Sequence, residues 1–267
     1  MAPKTSIGRG LCVNAGLDAD LARDLGVRCE KLGYHSLWSN DEPNASGLET
    51  LAHFAAAAPH VDLGVGVIPL DRSGPTKIAA DVERLGLDPA RLWLGIGSGQ
   101  VANSLDAVRG GVAELRELLP DARIVVAAMR TRLCHLGGAI ADGVLLNWML
   151  PDQAARAHGW VQEGAEEAGV PPPVSALYVR VAVGPGASQR LRDAEGRYRV
   201  ITEGYRKHFE EMDVPLGSVG VAASERSGVL DGLEPYRSAV DLPIARVLAE
   251  PDQTSLTAVA EAASPDH

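Results

Sequence analysis

The chain has 267 residues, of which 46% are hydrophobic, 22% charged and only 4% aromatic, with a net charge of −10. That length can bury a sizeable core, and the acidic balance argues against nucleic acid or an anionic membrane as partner. No apolar run reaches the roughly 18 residues of a membrane span, and the start, MAPKTSIGRG, lacks an apolar signal-like segment.

In chain order, apolar runs of strand length alternate with stretches of helical period. Strands are expected over residues 7–14, 35–39, 62–70, 92–96, Arg123–Ala127, 143–148, 175–183 and 244–248. A first helix opens at Asp18 and ends at Gly33, with Leu21, Leu25, Cys29 and Leu32 on its apolar face. The second announces itself with the capping box Ser46-Gly-Leu-Glu49 and runs to Ala58. Pro75 suits the first turn of a third, and Asn103 or Ser104 caps a fourth that ends near Leu119. Thr131–Ile140 and Pro151–Ala168 follow as the fifth and sixth, then one long polar helix over 191–212. Residues 213–241 are less regular and long enough to hold a local helix or two, and 252–262 close the chain as a helix.

Eight strand–helix units in about 260 residues match the α/β class and the (β/α)8 TIM barrel in number and size. A doubly wound open sheet is the alternative. No low-complexity linker divides residues 1–267, which reads as a single domain. Cys12, Cys29 and Cys134 are widely spaced and form no C-x-x-C, the pattern of reduced, buried thiols in a cytoplasmic protein.

A barrel places chemistry at the C-terminal ends of its strands. Those ends offer Asn14; Asn40, Asp41 and Glu42; Asp71 and Arg72; Ser98, Gln100 and Asn103; Met129, Arg130 and Arg132; Asn147 and Trp148; and Glu250. None of the seven histidines falls in a metal-ligand spacing, so no metal is expected. Lys4, Lys31, Lys77 and Lys207 all miss the strand ends, which disfavours a Schiff-base enzyme. Gly95-Ile-Gly97-Ser98-Gly99 fits neither a nucleophile elbow nor G-x-G-x-x-G. It can cradle a ligand at the start of the next helix, or simply turn tightly. Arg130 and Arg132 oppose the dipole of the helix they begin unless an anion such as phosphate lies there; solvated surface arginines are the plainer reading. Trp38 and Trp148 could wall a ring system or fill the core. Asp41 and Glu42 are candidate acid–base or hydrogen-bonding groups.

Four segments, in order on the expected strands, resemble the luciferase-like superfamily of flavin- and deazaflavin-dependent oxidoreductases. Tyr34-His-Ser-Leu-Trp-Ser-Asn-Asp41 is similar to its strand ending W-x-x-D-H, and Asp62-Leu-Gly-Val-Gly-Val-Ile-Pro-Leu70 to its L-G-T-G-V strand. Arg91-Leu-Trp-Leu-Gly-Ile-Gly-Ser-Gly99 resembles G-R-L-x-L-G-x-G-x-G. Ala127-Ala-Met129, Gly138 and Ala141-Asp-Gly-Val-Leu-Leu-Asn147 follow the pattern of its fifth and sixth units.

The resemblance implies a compact luciferase-like barrel holding FMN or a deazaflavin coenzyme of the F420 type. It implies a non-prolyl cis peptide near Gly66 and Val67 beneath the cofactor ring, and Asp41 at the ring edge. The glycine loop Gly97, Ser98 and Gly99, with Gln100 and Asn103, would contact the ring or its side chain. Backbone at Ala128, Met129 and Arg130, with Arg132, would hold the phosphate. Asp41, Glu42 and Gln100 are the candidate catalytic positions.

Two departures stand out: Glu42 replaces the His of many members, and Gln100 stands where some deazaflavin dehydrogenases carry an acid. The connection Leu119-Pro-Asp-Ala122 is short where members often insert a substrate-covering excursion, which favours the deazaflavin and a more open site. The expected activity is hydride exchange with a small organic substrate. The alternatives are FMN-dependent monooxygenation, a non-catalytic flavin-binding or partner subunit, and a cofactor-free phosphosugar enzyme. Homodimers through barrel helices are common in the superfamily, and the apolar first helices permit one.

Overall fold

The computed structural model describes residues 6–265. Its elements, in order, are β1 (Gly10–Val13), α1 (Ala19–Lys31), β2 (Ser36–Ser39), α2 (Gly47–Ala57), β3 (Asp62–Pro69), α3 (Pro75–Arg84), β4 (Leu92–Gly97) and α4 (Ser104–Leu118). Then come β5 (Arg123–Ala127), α5 (Thr131–Ile140), β6 (Gly143–Asn147), α6 (Pro151–Ala168), β7 (Val174–Val183), α7 (Ala187–Ile201) and α8 (Glu203–Met212). The chain closes with β8 (Val221–Ala223), α9 (Arg226–Ala239), β9 (Leu242–Val247) and α10 (Gln253–Ala262).

Strands β1 to β7 pair in parallel with their sequence neighbours, and β9 closes the ring between β7 and β1. This is the expected (β/α)8 barrel. The local signals act as read: the Asp18 side chain accepts from the Asp20 and Leu21 amides at the start of α1, and Ser46 Oγ accepts from the Glu49 amide.

Alternation along the strands divides the core in two. Leu11, Leu37, Leu63, Leu94, Ile124, Val144 and Leu177 face the helices. Cys12, Trp38, Trp93, Val125, Leu145, Tyr178 and Ile244 fill the barrel. Trp38 belongs to this interior, its Nε1 donating to Ser36 Oγ at 2.8 Å, and is core filling. The three cysteines are free and buried.

Two segments differ from the sequence expectation. The helix expected over 191–212 breaks at Thr202, which is extended and whose hydroxyl accepts from the Tyr205 amide as the cap of α8. Val200, Ile201 and Thr202 are β-branched in succession, which weakens the helix where Thr202 can start a new one. Within 213–241, α9 is accompanied by β8, a strand the sequence did not signal. It pairs with Val181–Val183 on the edge of β7 that β6 occupies lower down. The hairpin α7–α8 lies over the barrel mouth around Trp148, Leu191, Phe209 and Val219, and so the site is covered from β7 and not from the shortened connection before β5.

Candidate active site

Above the filled interior, at the C-terminal ends of the strands, is a cavity of about 550 Å³. Its floor is Gly66, Val67, Leu145 and Tyr178, and its wall toward α5 is Ala127, Ala128, Met129, Arg130 and Leu133. Tyr198, Ile201, Gly204 and Tyr205 close it from the α7–α8 hairpin. The peptide between Gly66 and Val67 is cis, at the position that the resemblance implies. Gly66 is required by crowding, because a Cβ there would meet Leu145 Cδ2 and Tyr178 Oη at 2.4 Å.

Of the positions proposed from sequence, Asp41, Gly66, Val67, Ala128, Met129 and Arg130 meet at this cavity. Asp41 is held at the rim, with Oδ1 accepting from the Gly47 amide at 2.9 Å and Oδ2 from Arg72. Arg130 begins α5 and reaches Glu211 of α8 at 3.1 Å, which neutralises part of the charge conflict at that helix start. Glu42 faces a neighbouring cavity of about 450 Å³ and accepts from Asn40 Nδ2 at 2.7 Å.

The remaining positions turn elsewhere. Gly99 adopts φ +69° and packs on Asp71, whose carboxylate receives the Gln100 amide at 2.8 Å. Asn103 Nδ2 donates to Asp106, and Ser98 Oγ to the Gly99 carbonyl. Gly97, Ser98, Gly99, Gln100 and Asn103 line neither cavity, and Arg132 lines an outer groove with His135 and Glu167. The glycine loop therefore acts here as a tight turn closed on Asp71.

Sequence reasoning by strand ends missed Tyr178, Arg180 and Arg246, which point into the barrel from within β7 and β9. The signal was present: Tyr178-Val-Arg180 and Ile244-Ala-Arg246 each continue an inward register with a charge where an apolar residue is usual. Arg180 lies over Trp148, 3.8 Å from the ring centroid, and donates to Asn147 Oδ1; Asn147 Nδ2 donates to Tyr205 Oη at 2.8 Å. Arg246 donates to Asn14 Oδ1. Burial pushes the Tyr205 hydroxyl up to about 12, so it is a neutral hydrogen-bonding group. Among the described residues there is no cluster able to hold a metal and no helix long and apolar enough to cross a membrane.

Residues 6–114 match the family model described as luciferase-like monooxygenase. The match covers the units through β4 and most of α4, and includes the first three of the four segments whose motifs resemble that family. No curated protein matches it by sequence. Among solved structures it is similar to an F420-dependent secondary alcohol dehydrogenase in complex with an F420–acetone adduct, at 16% identity and a TM-score of 0.77, covering 98% of this chain and 100% of that one. The coenzyme F420-dependent tetrahydromethanopterin reductase from Methanopyrus kandleri is similar at 15% identity and 0.69, covering 97% and 98%. The oxygenating constituent of 3,6-diketocamphane monooxygenase of Pseudomonas putida, in complex with FMN, is similar at 14% identity and 0.68, covering 98% and 99%. At such identities the likeness is one of fold.

Proposed function

We propose that this protein is an oxidoreductase that binds FMN or a deazaflavin coenzyme in the 550 Å³ cavity and exchanges hydride with a small organic substrate. The observation that carries the reading is the cavity itself: apolar, floored by Gly66 and Val67, at the C-terminal mouth of a luciferase-like barrel. Its volume lies in the range of about 300–1,000 Å³ typical of small-molecule sites. The residues present fit a flat ring with an anionic tail. Val67, Pro69, Met129 and Leu145 offer apolar surface, Tyr178 and Asp41 offer polar edges, and the N-terminus of α5 suits a phosphate.

When bound, such a group supplies the hydride or oxygen chemistry. This chain would hold its ring against Gly66 and Val67, keep Asp41 at the ring edge, and exclude water with Tyr198, Ile201 and Tyr205. Of the catalytic candidates, Asp41 alone lines this cavity. Glu42 lies next door, and Gln100 would need the loop at Gly99 to release Asp71. No histidine lines the cavity among the described residues, which favours, as the second reading, a flavin-binding subunit without turnover.

Titration of the purified chain with FMN and with the deazaflavin coenzyme, each in both redox states and read by visible absorption and fluorescence, tests the first reading and selects the cofactor. Absence of binding by either would end it; tight binding with no turnover of any alcohol, aldehyde or ketone would support the second. The buried free thiols support a reducing, cytoplasmic setting. The homodimer rests on the superfamily resemblance, and light scattering of the purified protein tests it.

A further inference from the structure

Arg180 and Arg246 are register partners on the paired strands β7 and β9, so two guanidinium-bearing residues stand directly opposite each other. They are only 4% and 7% exposed. Among the described residues no carboxylate lies within ion-pair distance of either. Their side-chain acceptors are neutral: Asn147 and the Tyr178 carbonyl for Arg180, Asn14 for Arg246. Arg246 Nη1 and the Tyr178 hydroxyl are both buried without a hydrogen-bond partner among the described residues.

Buried like charges placed opposite one another are destabilising, and a buried guanidinium ordinarily has an acid to offset its desolvation. Burial, and then the Arg246 charge, make the cationic form of Arg180 harder to keep. What the pair lacks is an anion. The two arginines stand where the 550 Å³ cavity adjoins the 450 Å³ one, since both line each of them. The start of α5, which suits the cofactor phosphate, lines only the first, so the second is left for another molecule.

We propose that Arg180 and Arg246 form a recognition site for an oxyanion, carboxylate or phosphate, carried by the substrate. Resting on the oxidoreductase reading above, this makes the substrate a small organic anion whose charged group sits at the boundary of the two cavities. Planar guanidinium forks suit two oxygens of one group, and Arg246 Nη1 would gain the acceptor it lacks. Asn14 and Asn147 act as positioning residues, fixing each guanidinium without neutralising it.

Calorimetric titration of the full chain with inorganic phosphate and with acetate, at ionic strength held constant with chloride, tests the site. Saturable binding of at least one anion is expected at about millimolar concentration or tighter. Stronger phosphate binding would point to a phosphorylated substrate, and stronger acetate binding to a carboxylate. Arg246→Gln should weaken the binding about tenfold or more, and Arg246→Lys should fall between, because it keeps the charge and loses the fork.

The bound anion should raise the thermal midpoint of the native protein and not that of Arg246→Gln. FMN and deazaflavin affinities should change much less than the anion affinity in both variants. No saturation in the native chain up to about 100 mM, two decades above the millimolar affinity expected, would overturn the proposal. So would equal anion affinity in Arg246→Gln. Loss of cofactor binding in the variants, with phosphate displaced by FMN, would overturn it by assigning the arginines to the cofactor. Anion binding lost in the variant of a protein that binds neither cofactor would sustain the anion site and remove the oxidoreductase reading.

Discussion

Trp148 shows what a single residue carries at this barrel mouth. It is fully buried with φ 52°, a left-handed conformation that costs a bulky side chain. Its carbonyl accepts from His208 Nε2 at 2.6 Å, and its ring packs on Phe209 and Tyr198 beneath Arg180. Tertiary contacts therefore hold this turn, with Arg180 of β7 stacked against its ring. Burial depresses the His208 pKa, and the same cause acts on His35. Both are neutral in the folded state, whereas the unfolded chain takes up protons near the ordinary value of 6.5. Their stabilisation is complete above that value and is lost as pH falls below it. Thermal midpoints should thus drop on the acid side of pH 6.5 in the native chain, and less steeply in His208→Gln. A second expectation concerns Gly66: a methyl there overlaps Leu145 and Tyr178, so Gly66→Ala should destabilise by about 1–3 kcal/mol and weaken the FMN or deazaflavin binding proposed for this cavity. Denaturant unfolding and the cofactor titration read the two effects.

At the scale of elements, the α7–α8 hairpin is the part that makes a site out of a barrel end. Glu195, fully buried in α7, accepts from the Gly217 and Val219 amides at 3.0 and 3.1 Å and pairs with Arg199 at 2.6 Å. It fastens α7 to the segment that leads into β8. Glu195→Ala would strand two amides and a partly buried guanidinium, so a loss of about 3 kcal/mol is expected. Limited proteolysis should then cut the hairpin before the barrel. The capping box at Ser46 and the helix start at Asp18 were legible because such signals act within one turn. The break at Thr202 was not, because the polar pattern of α7 continues into α8; the β-branched Val200, Ile201 and Thr202 only weaken the helix there, and packing of both halves around Trp148 fixes the bend.

At the scale of the molecule, the barrel closes by joining its ends. β1 pairs with β9, Tyr34 Oη donates to the Ala260 carbonyl at 2.7 Å, and Arg28 pairs with Glu261 at 2.6 Å. The Tyr34 hydroxyl is buried, so Tyr34→Phe leaves the Ala260 carbonyl without this donor. Chemical unfolding should show a cost of about 1 kcal/mol in one cooperative transition. The eight barrel strands, most helices and the luciferase-like motifs could be read from the sequence by itself. Apolar alternation, helical period and caps are local properties, set within a few residues. Tertiary structure alone decided that the glycine loop closes on Asp71 instead of facing the cavity. It also decided that β8 joins the upper edge of β7, that the cover comes from α7–α8, and that Arg180 faces Arg246. Each of these depends on the register in which distant strands close the barrel, and no stretch of chain encodes that register by its own pattern.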